Sequence, residues 1–341
     1  MAGPERSVSD LGTLQLPALG LGGASVGNLY KAISEDAARA TLEAAIDAGL
    51  SLFDTAPHYG AGLSEKRIGA FLADRSERPR ISNPLISTKV GRRLVDPVDD
   101  IIEDHGFVDA EPFNPVFDYS ADGVRASFEG SLDRLRLDRV DLLLLHDIGA
   151  MVHGEASERV MAQSLAEALP EMIRIRETGG ARAVGIGVNE IEVCQELLRQ
   201  VDLDVILLAG RYTLLEPEAA IPLLDLCLKR GTQVIIGGPF NSGLLVSGEG
   251  DKAVYNYAPA PQWALERREQ LSKICANHTI PLAAAALQYP LKHPAVSCVI
   301  PGAQSALEVG QIKAWFDDEI PDALWDDLKD ARLIPEEATA P

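Results

Sequence analysis

The sequence predicts an α/β chain closed into a (β/α)8, or TIM, barrel, and three observations predict it. Eight short runs rich in Val, Ile and Leu recur along 341 residues, helix-compatible segments alternate with them, and polar residues able to carry chemistry fall at the carboxyl ends of the runs. Continuous apolar runs suit strands buried on both faces, the parallel and helix-covered case. Eight such units in a chain of this length suit a closed barrel, whose active-site groups gather at the strand carboxyl ends.

The first unit joins ALGLGG at 18–23 to a helix that Ser34 caps, with Glu35 and Asp36 in its first turn and Gly49 just past its end. LSLF at 50–53 leads to a helix near 64–72, and PLIST at 84–88 leads, after a long insertion, to a helix near 120–134. DLLLL at 141–145, ARAVGIGV at 181–188, DVILL at 204–208, QVIIG at 233–237 and SCVI at 297–300 complete the eight. An open doubly wound sheet is the alternative, but Gly20, Gly22 and Gly23 match the G-x-G-x-x-G fingerprint poorly and no suitable acidic residue follows. No shift in composition marks a boundary, so 1–341 is expected to be a single barrel domain.

Two connections exceed what a barrel needs. The one near 91–119 carries Phe107, Phe113 and Phe117; the one near 239–261 carries Phe240, Tyr255 and Tyr257. Loops of this length are often functional, and both are expected on the catalytic face, walling a pocket for a small ring-shaped substrate. Insertions with aromatics merely packed beneath them are the plainer alternative.

Composition limits the partners. Fifty-one acidic against thirty-one basic residues give a net charge of −20, which repels phosphate backbones and anionic membrane surfaces, so nucleic acid and membrane are not expected partners. The opening MAGPERSVSDLG lacks an apolar core and no stretch reaches the ~18 consecutive apolar residues of a membrane span, so a cytosolic protein is expected. Cys194, Cys227, Cys275 and Cys298 stand alone, without C-x-x-C pairing or zinc spacing, and read as structural thiols; no metal is expected.

Asp54, Tyr59, Lys89 and His146 carry the chemistry. A phenol has an ordinary pKa of ~10 and exchanges protons near neutrality only where its surroundings stabilise the phenolate. Lys89 can supply that charge, Asp54 can hold Lys89, and His146 can orient a substrate oxygen or relay its proton. Taken singly, Asp54 could cap the next segment, Lys89 could be a solvated strand end, Tyr59 a turn aromatic and His146 a structural histidine. Together, in the spacing D-T-A-P-H-Y-G and at successive strand ends, they suit redox at a carbon bearing oxygen. No side chain accepts a hydride, so a carrier is needed, and nicotinamide is the natural one.

At these residues the chain resembles the aldo-keto reductase superfamily. The resembling stretches are LFDTAPHYGAGLSEKRIG at 52–69, ISTKVG at 86–91, DLLLLHD at 141–147, GIGVNE at 185–190 and VIPGA at 299–303. The resemblance implies a (β/α)8 barrel using NAD(P)(H), with Tyr59 as acid and base, Asp54 and Lys89 tuning it, and His146 orienting substrate. VFDYSADGVRASFEGSLDRL, AGRYTLLE, PFNSGLL and YNYAPAP look like the branch holding sugar 1-dehydrogenases, acting on L-fucose and other threo-configured aldoses, and pyridoxal 4-dehydrogenase. Both oxidise a cyclic hemiacetal to a lactone.

The same resemblance assigns the cofactor residues. The serine and asparagine that commonly hold the nicotinamide amide align with Asn189 and Glu190, and the usual glutamine aligns with Ala209. Asn189 still donates and accepts hydrogen bonds, and Tyr212 matches the aromatic that stacks on the nicotinamide ring. Backbone amides from Pro239 through Asn241 and Gly243 to Leu244 are expected to line the pyrophosphate, Gly243 permitting close approach; a plain glycine turn is the alternative. Where NADP-selective relatives place Lys and Arg, this chain has Gly302 and Glu308. A carboxylate there disfavours a 2′-phosphate and accepts a ribose hydroxyl, so NAD is the expected cofactor, with NADP the alternative; Glu308 as a solvated helix residue is the plainer reading.

The leading expectation is oxidation of a free aldose at its C1 hemiacetal to a lactone. Pyridoxal oxidation to its lactone is the nearest alternative, and an aldehyde or ketone reductase is third. From another class comes an NAD(P)H-binding regulatory subunit, as in potassium-channel β-subunits of this superfamily; the intact tetrad counts against it.

Overall fold

The computed structural model describes residues 14–75, 84–98, 106–247, 254–255 and 258–336. Eight strands run parallel in chain order: β1 (Leu21–Gly22), β2 (Leu52–Asp54), β3 (Leu85–Val90), β4 (Val140–His146), β5 (Ala181–Val188), β6 (Val205–Ala209), β7 (Gln233–Gly237) and β8 (Val296–Ile300). Parallel bridges from Leu19 to Val299 and from Gly22 to Gly302 join the last strand to the first and close the barrel. The ALGLGG run pairs with β2 only at Leu21 and Gly22, while Ala18 and Gly20 bond to Val299 of β8 instead.

Two apolar layers explain the continuous runs. Side chains alternate across a strand, so Leu142 and Leu144 of β4, with Val205, Leu207, Ile235 and Ile300, fill the barrel interior. Leu143 and Leu145, with Ile206, Leu208, Val234 and Ile236, face the helical shell. Both faces are dry, so both parities are apolar.

The same alternation selects which chemical groups point inward. Two residues on from Leu52 stands Asp54; two and four on from Leu85 stand Ser87 and Lys89; two on from Leu144 stands His146. Inward parity therefore carries Asp54, Lys89 and His146 to one ring at the carboxyl end of the barrel. Gly187 leaves room for the longest of them, since a Cβ there would meet Lys89 Cε at 3.2 Å.

The helices start and stop where local chemistry directs. Ser34 Oγ accepts from Ala37 N at 3.2 Å and opens the Glu35–Asp47 helix, and Gly49, at φ 83°, turns the chain back. Ser120 Oγ accepts from Gly123 N at 3.0 Å at the head of the Ala121–Leu135 helix. The Leu63–Arg75 helix is tied to its neighbours by Glu65, fully buried, which accepts from Thr88 Oγ1 at 2.6 Å and Arg134 Nε at 2.7 Å. No described helix is long and apolar enough to cross a membrane. All four cysteines are buried and free.

The two long connections behave differently from one another. The first forms an antiparallel hairpin of Arg92–Val95 with Asn114–Phe117. Of its phenylalanines, Phe107 alone among the three packs on Tyr59, whereas Lys66 lies over Phe113 and Phe117 stacks on Tyr119. In the second, Phe240 packs edge-on against Trp315 and Tyr255 against Trp263. Tyr257 lies outside the described residues, as does the opening MAGPERSVSDLG.

Candidate active site

Lys89 sits at the centre of the site, 1% exposed, with all three donors of its ammonium engaged. It donates to Asp54 Oδ2 at 2.6 Å, to Thr55 O at 2.9 Å and to the Tyr59 hydroxyl at 3.1 Å. Asp54 is fixed in turn, since its Oδ1 accepts from Ser87 Oγ at 2.8 Å. Tyr59 therefore accepts from Lys89, which leaves its own proton free to exchange with a ligand. Burial opposes the charge on Lys89, but the Asp54 carboxylate and the Tyr59 oxygen outweigh it and raise its pKa.

Tyr59 reaches this position from the turn after β2. Its N–H donates to Ala56 O at 3.0 Å, and Gly60 and Ala61 take positive φ of 66° and 50° to redirect the chain into the next helix. Gly27 packs beneath that turn, where a Cβ would lie 2.8 Å from the Tyr59 carbonyl.

The protonation states differ from a simple lysine-tuned phenolate. Burial of the hydroxyl pushes the Tyr59 pKa up to about 12, although Lys89 pulls it down. The resting group is a phenol. His146 is held well below its ordinary value of 6.5, first by burial and then by the Arg92 and Lys89 cations, so its ring is neutral. That ring lies 6.2 Å from the Tyr59 ring, nearly perpendicular to it, with His58 and Phe107 completing an aromatic cup.

A cleft of about 580 Å³ runs from Asp54 and Tyr59 past Asn189, Ala209 and Gly237–Gly238 to Glu308 and Trp315. Its volume lies within the usual range for ligand sites. Glycines shape it: at Gly302 a Cβ would meet Ser25 Oγ at 2.6 Å, and at Gly22 it would meet Ile300 O at 3.1 Å. This narrow cradle, ending at a proton-exchanging phenol, fits an extended dinucleotide.

Most residues expected on the cofactor side line this cleft, with two exceptions. Asn189, Pro239, Asn241, Gly243, Gly302 and Glu308 are there. Tyr212 is not: it is fully buried outside the cleft, 5.4 Å from the ring of Tyr289 and 6.2 Å from that of His293, so no nicotinamide ring can stack on it in this arrangement. Leu244 is likewise buried beneath the cleft wall. The amides of Asn241, Gly243 and Leu244 donate to Gly238, Phe240 and Asn241 carbonyls, so this turn satisfies much of itself.

Two acidic residues gain definite roles. Glu190 accepts from Met151 N at 3.1 Å and so braces the turn after β4. Glu308 accepts from Gln304 N at 2.8 Å while its own N–H donates to Ser305 Oγ at 3.2 Å, a near-reciprocal cap at the head of the Ala306–Asp317 helix. Its carboxylate is thereby both fixed and exposed to the cleft. Sequence reasoning missed Gly237, Gly238 and Trp315, which also line the cleft; inward parity along β7 marks Gly237.

Comparison with known proteins places the chain in a family. The chain is 41% identical over 328 residues to a D-threo-aldose 1-dehydrogenase from Pseudomonas sp, covering 94% of this chain and 96% of that protein. It is 39% identical over 333 residues to a pyridoxal 4-dehydrogenase from Microbacterium luteolum, covering 94% and 95%. Among solved structures, a glycerol dehydrogenase from Gluconobacter oxydans superimposes with a TM-score of 0.72 at 22% identity, covering 96% and 95%, and shares the fold. A holo-form aldo-keto reductase from Bacillus halodurans does so at 0.69 and 24% identity, covering 94% and 93%. The sequence pattern of the Aldo/keto reductase family matches residues 18–332, and the chain belongs to that family.

Proposed function

We propose that this aldo/keto reductase, an NAD(P)-dependent dehydrogenase, oxidises the C1 hemiacetal of a free aldose of the L-fucose or D-threo type to its lactone, with NAD as the preferred cofactor. The observation that carries the reading is the Lys89 ammonium, whose three donors end on Asp54, Thr55 and Tyr59 and leave the phenol oxygen as the proton-exchanging atom at the cleft wall. Similarity to the D-threo-aldose 1-dehydrogenase supports the substrate class.

Asn189, the Pro239–Gly243 turn, Gly302 and Glu308 would hold a dinucleotide along the cleft. A bound nicotinamide supplies a two-electron hydride acceptor. The protein supplies the proton chemistry. Tyr59, as phenolate, takes the proton of the C1 hydroxyl while Lys89 stabilises its charge, and the C1–O bond gains carbonyl character as the C1–H bond breaks. His146, neutral and beside the phenol, orients the same oxygen without competing for its proton. In the reverse direction Tyr59 returns the proton.

A carboxylate fixed at the head of the Ala306–Asp317 helix and lining the cleft, with no cation for a 2′-phosphate among the described residues that line it, supports NAD over NADP. Pyridoxal is the second reading, supported by the pyridoxal 4-dehydrogenase relative. NADH formation over L-fucose, D-arabinose, L-galactose, L-xylose and pyridoxal tests both, with the lactone identified by hydroxylamine trapping and mass spectrometry. Turnover of pyridoxal without any aldose replaces the first reading by the second; reduction of open-chain ketones alone removes the hemiacetal chemistry.

A further inference from the structure

Beside the reacting end of the cleft lies a charged pair that the proton chemistry does not use. Arg92, one residue past Gly91, forms an ion pair with Asp147, the residue after His146. Their side chains are 14% and 12% exposed, and Asp147 Oδ2 stands 3.4 Å from His146 Nε2. The Arg92 guanidinium lies 4.7 Å over the Phe117 ring, while its Nε is buried with no hydrogen-bond partner among the described residues.

Packing holds this pair against the catalytic histidine. Asp147 adopts φ 50°, a left-handed conformation that a non-glycine residue takes only under constraint. The Tyr119 hydroxyl lies 2.9 Å from the His146 carbonyl oxygen and 2.7 Å from that of Asp147, and His153 Nε2 lies 2.8 Å from the latter. Gly91, at φ 100°, admits the Tyr119 ring, which a Cβ would meet at 2.6 Å. The hairpin, Tyr119 and the turn after β4 thus set the distance between carboxylate and imidazole.

A pair of opposed charges selects its ligand by exclusion. A phosphate or carboxylate meets the Asp147 carboxylate, and an ammonium meets Arg92. A hydroxyl meets neither objection, because it donates to the carboxylate while accepting from the guanidinium. We propose that Arg92 and Asp147 together bind the C2 hydroxyl beside the reacting carbon and so determine selectivity for polyhydroxylated rings. The inference rests on the aldose reading above.

The test compares kcat/KM for an accepted aldose and its 2-deoxy counterpart in wild type, Asp147→Asn and Arg92→Gln. Asn tolerates left-handed backbone, so Asp147→Asn preserves the turn; Arg92→Lys, keeping charge but not the planar fork, is a milder second variant at that position. Wild type is expected to prefer the parent sugar, and each variant to lose about tenfold or more on it, mostly through KM, with little loss on the deoxy sugar. The preference then collapses. Equal losses on both sugars mark a merely structural pair and overturn the inference while the aldose reading stands. A wild-type enzyme that oxidises no aldose overturns both.

Discussion

Asp54 and Lys89 form an ion pair 2.6 Å long at only 2% side-chain exposure on either side, and the lysine's remaining donors reach the Thr55 carbonyl and the Tyr59 hydroxyl. Such a pair is expensive to break from one side, because the survivor is left charged and dry. Its geometry separates two kinds of variant at the same site.

Tyr59→Phe removes only the proton-exchanging atom. Turnover is expected to fall roughly 10²-fold or more, the usual scale of lost acid–base catalysis, with NAD affinity and thermal stability nearly unchanged. Near-wild-type turnover would remove Tyr59 from its assigned role. Lys89→Met should lose comparable activity and also about 3 kcal/mol of stability, because Asp54 is left buried and unpaired; denaturant unfolding measures the second effect.

The rate of oxidation should climb with pH. Burial holds the Tyr59 phenol up to about 12, and the proposed oxidation uses its phenolate, so the reactive fraction grows as pH rises toward that value. A pH profile of kcat/KM from neutral to strongly alkaline conditions, with chemistry rate-limiting, is expected to rise throughout. A flat profile would mean that another group takes the proton.

His146 gives stability an acid limb. Its folded-state pKa lies well below the ordinary 6.5, because burial and then Arg92 and Lys89 disfavour the imidazolium. The neutral form folds best, so the contribution is fully present above 6.5 and is lost as pH falls from there toward the folded-state value. Melting temperatures measured from neutral to mildly acid pH should drop more steeply for wild type than for His146→Gln. Parallel slopes would show that the ring charges without penalty.

Cofactor choice tests the head of the Ala306–Asp317 helix. Wild type should favour NAD by kcat/KM, and Gly302→Lys with Glu308→Arg should move the preference toward NADP by offering cations to a 2′-phosphate. The double variant also loses the Glu308 bond to Gln304 N and crowds Ser25 Oγ with the new Cβ at residue 302, so about 1 kcal/mol or more of stability should go with it. A wild-type preference for NADP would place phosphate recognition elsewhere in the cleft.

Much of the site was legible from local pattern. Strand alternation is a two-residue rule, so Asp54, Lys89 and His146 were bound to share one face and one end once the apolar runs closed into a barrel. Capping is equally local, and Ser34 caps its helix as its neighbours suggest. Tyr212 shows where such reasoning stops: three residues past the end of β6 no periodicity governs its direction, and packing against Tyr289 and His293 took it into the core. The long loops diverged for the same reason, since an aromatic in an irregular segment goes wherever distant side chains leave room.

The sequence by itself determined the barrel and the inward register of Asp54, Lys89 and His146, because both follow from spacing along the chain. Tertiary structure decided the rest. Whether Tyr59 rests as phenol or phenolate, whether His146 is charged, and where Arg92 meets Asp147 depend on burial and on charges brought in from other strands and loops. Electrostatics in a dry interior is set by what lies nearby in space.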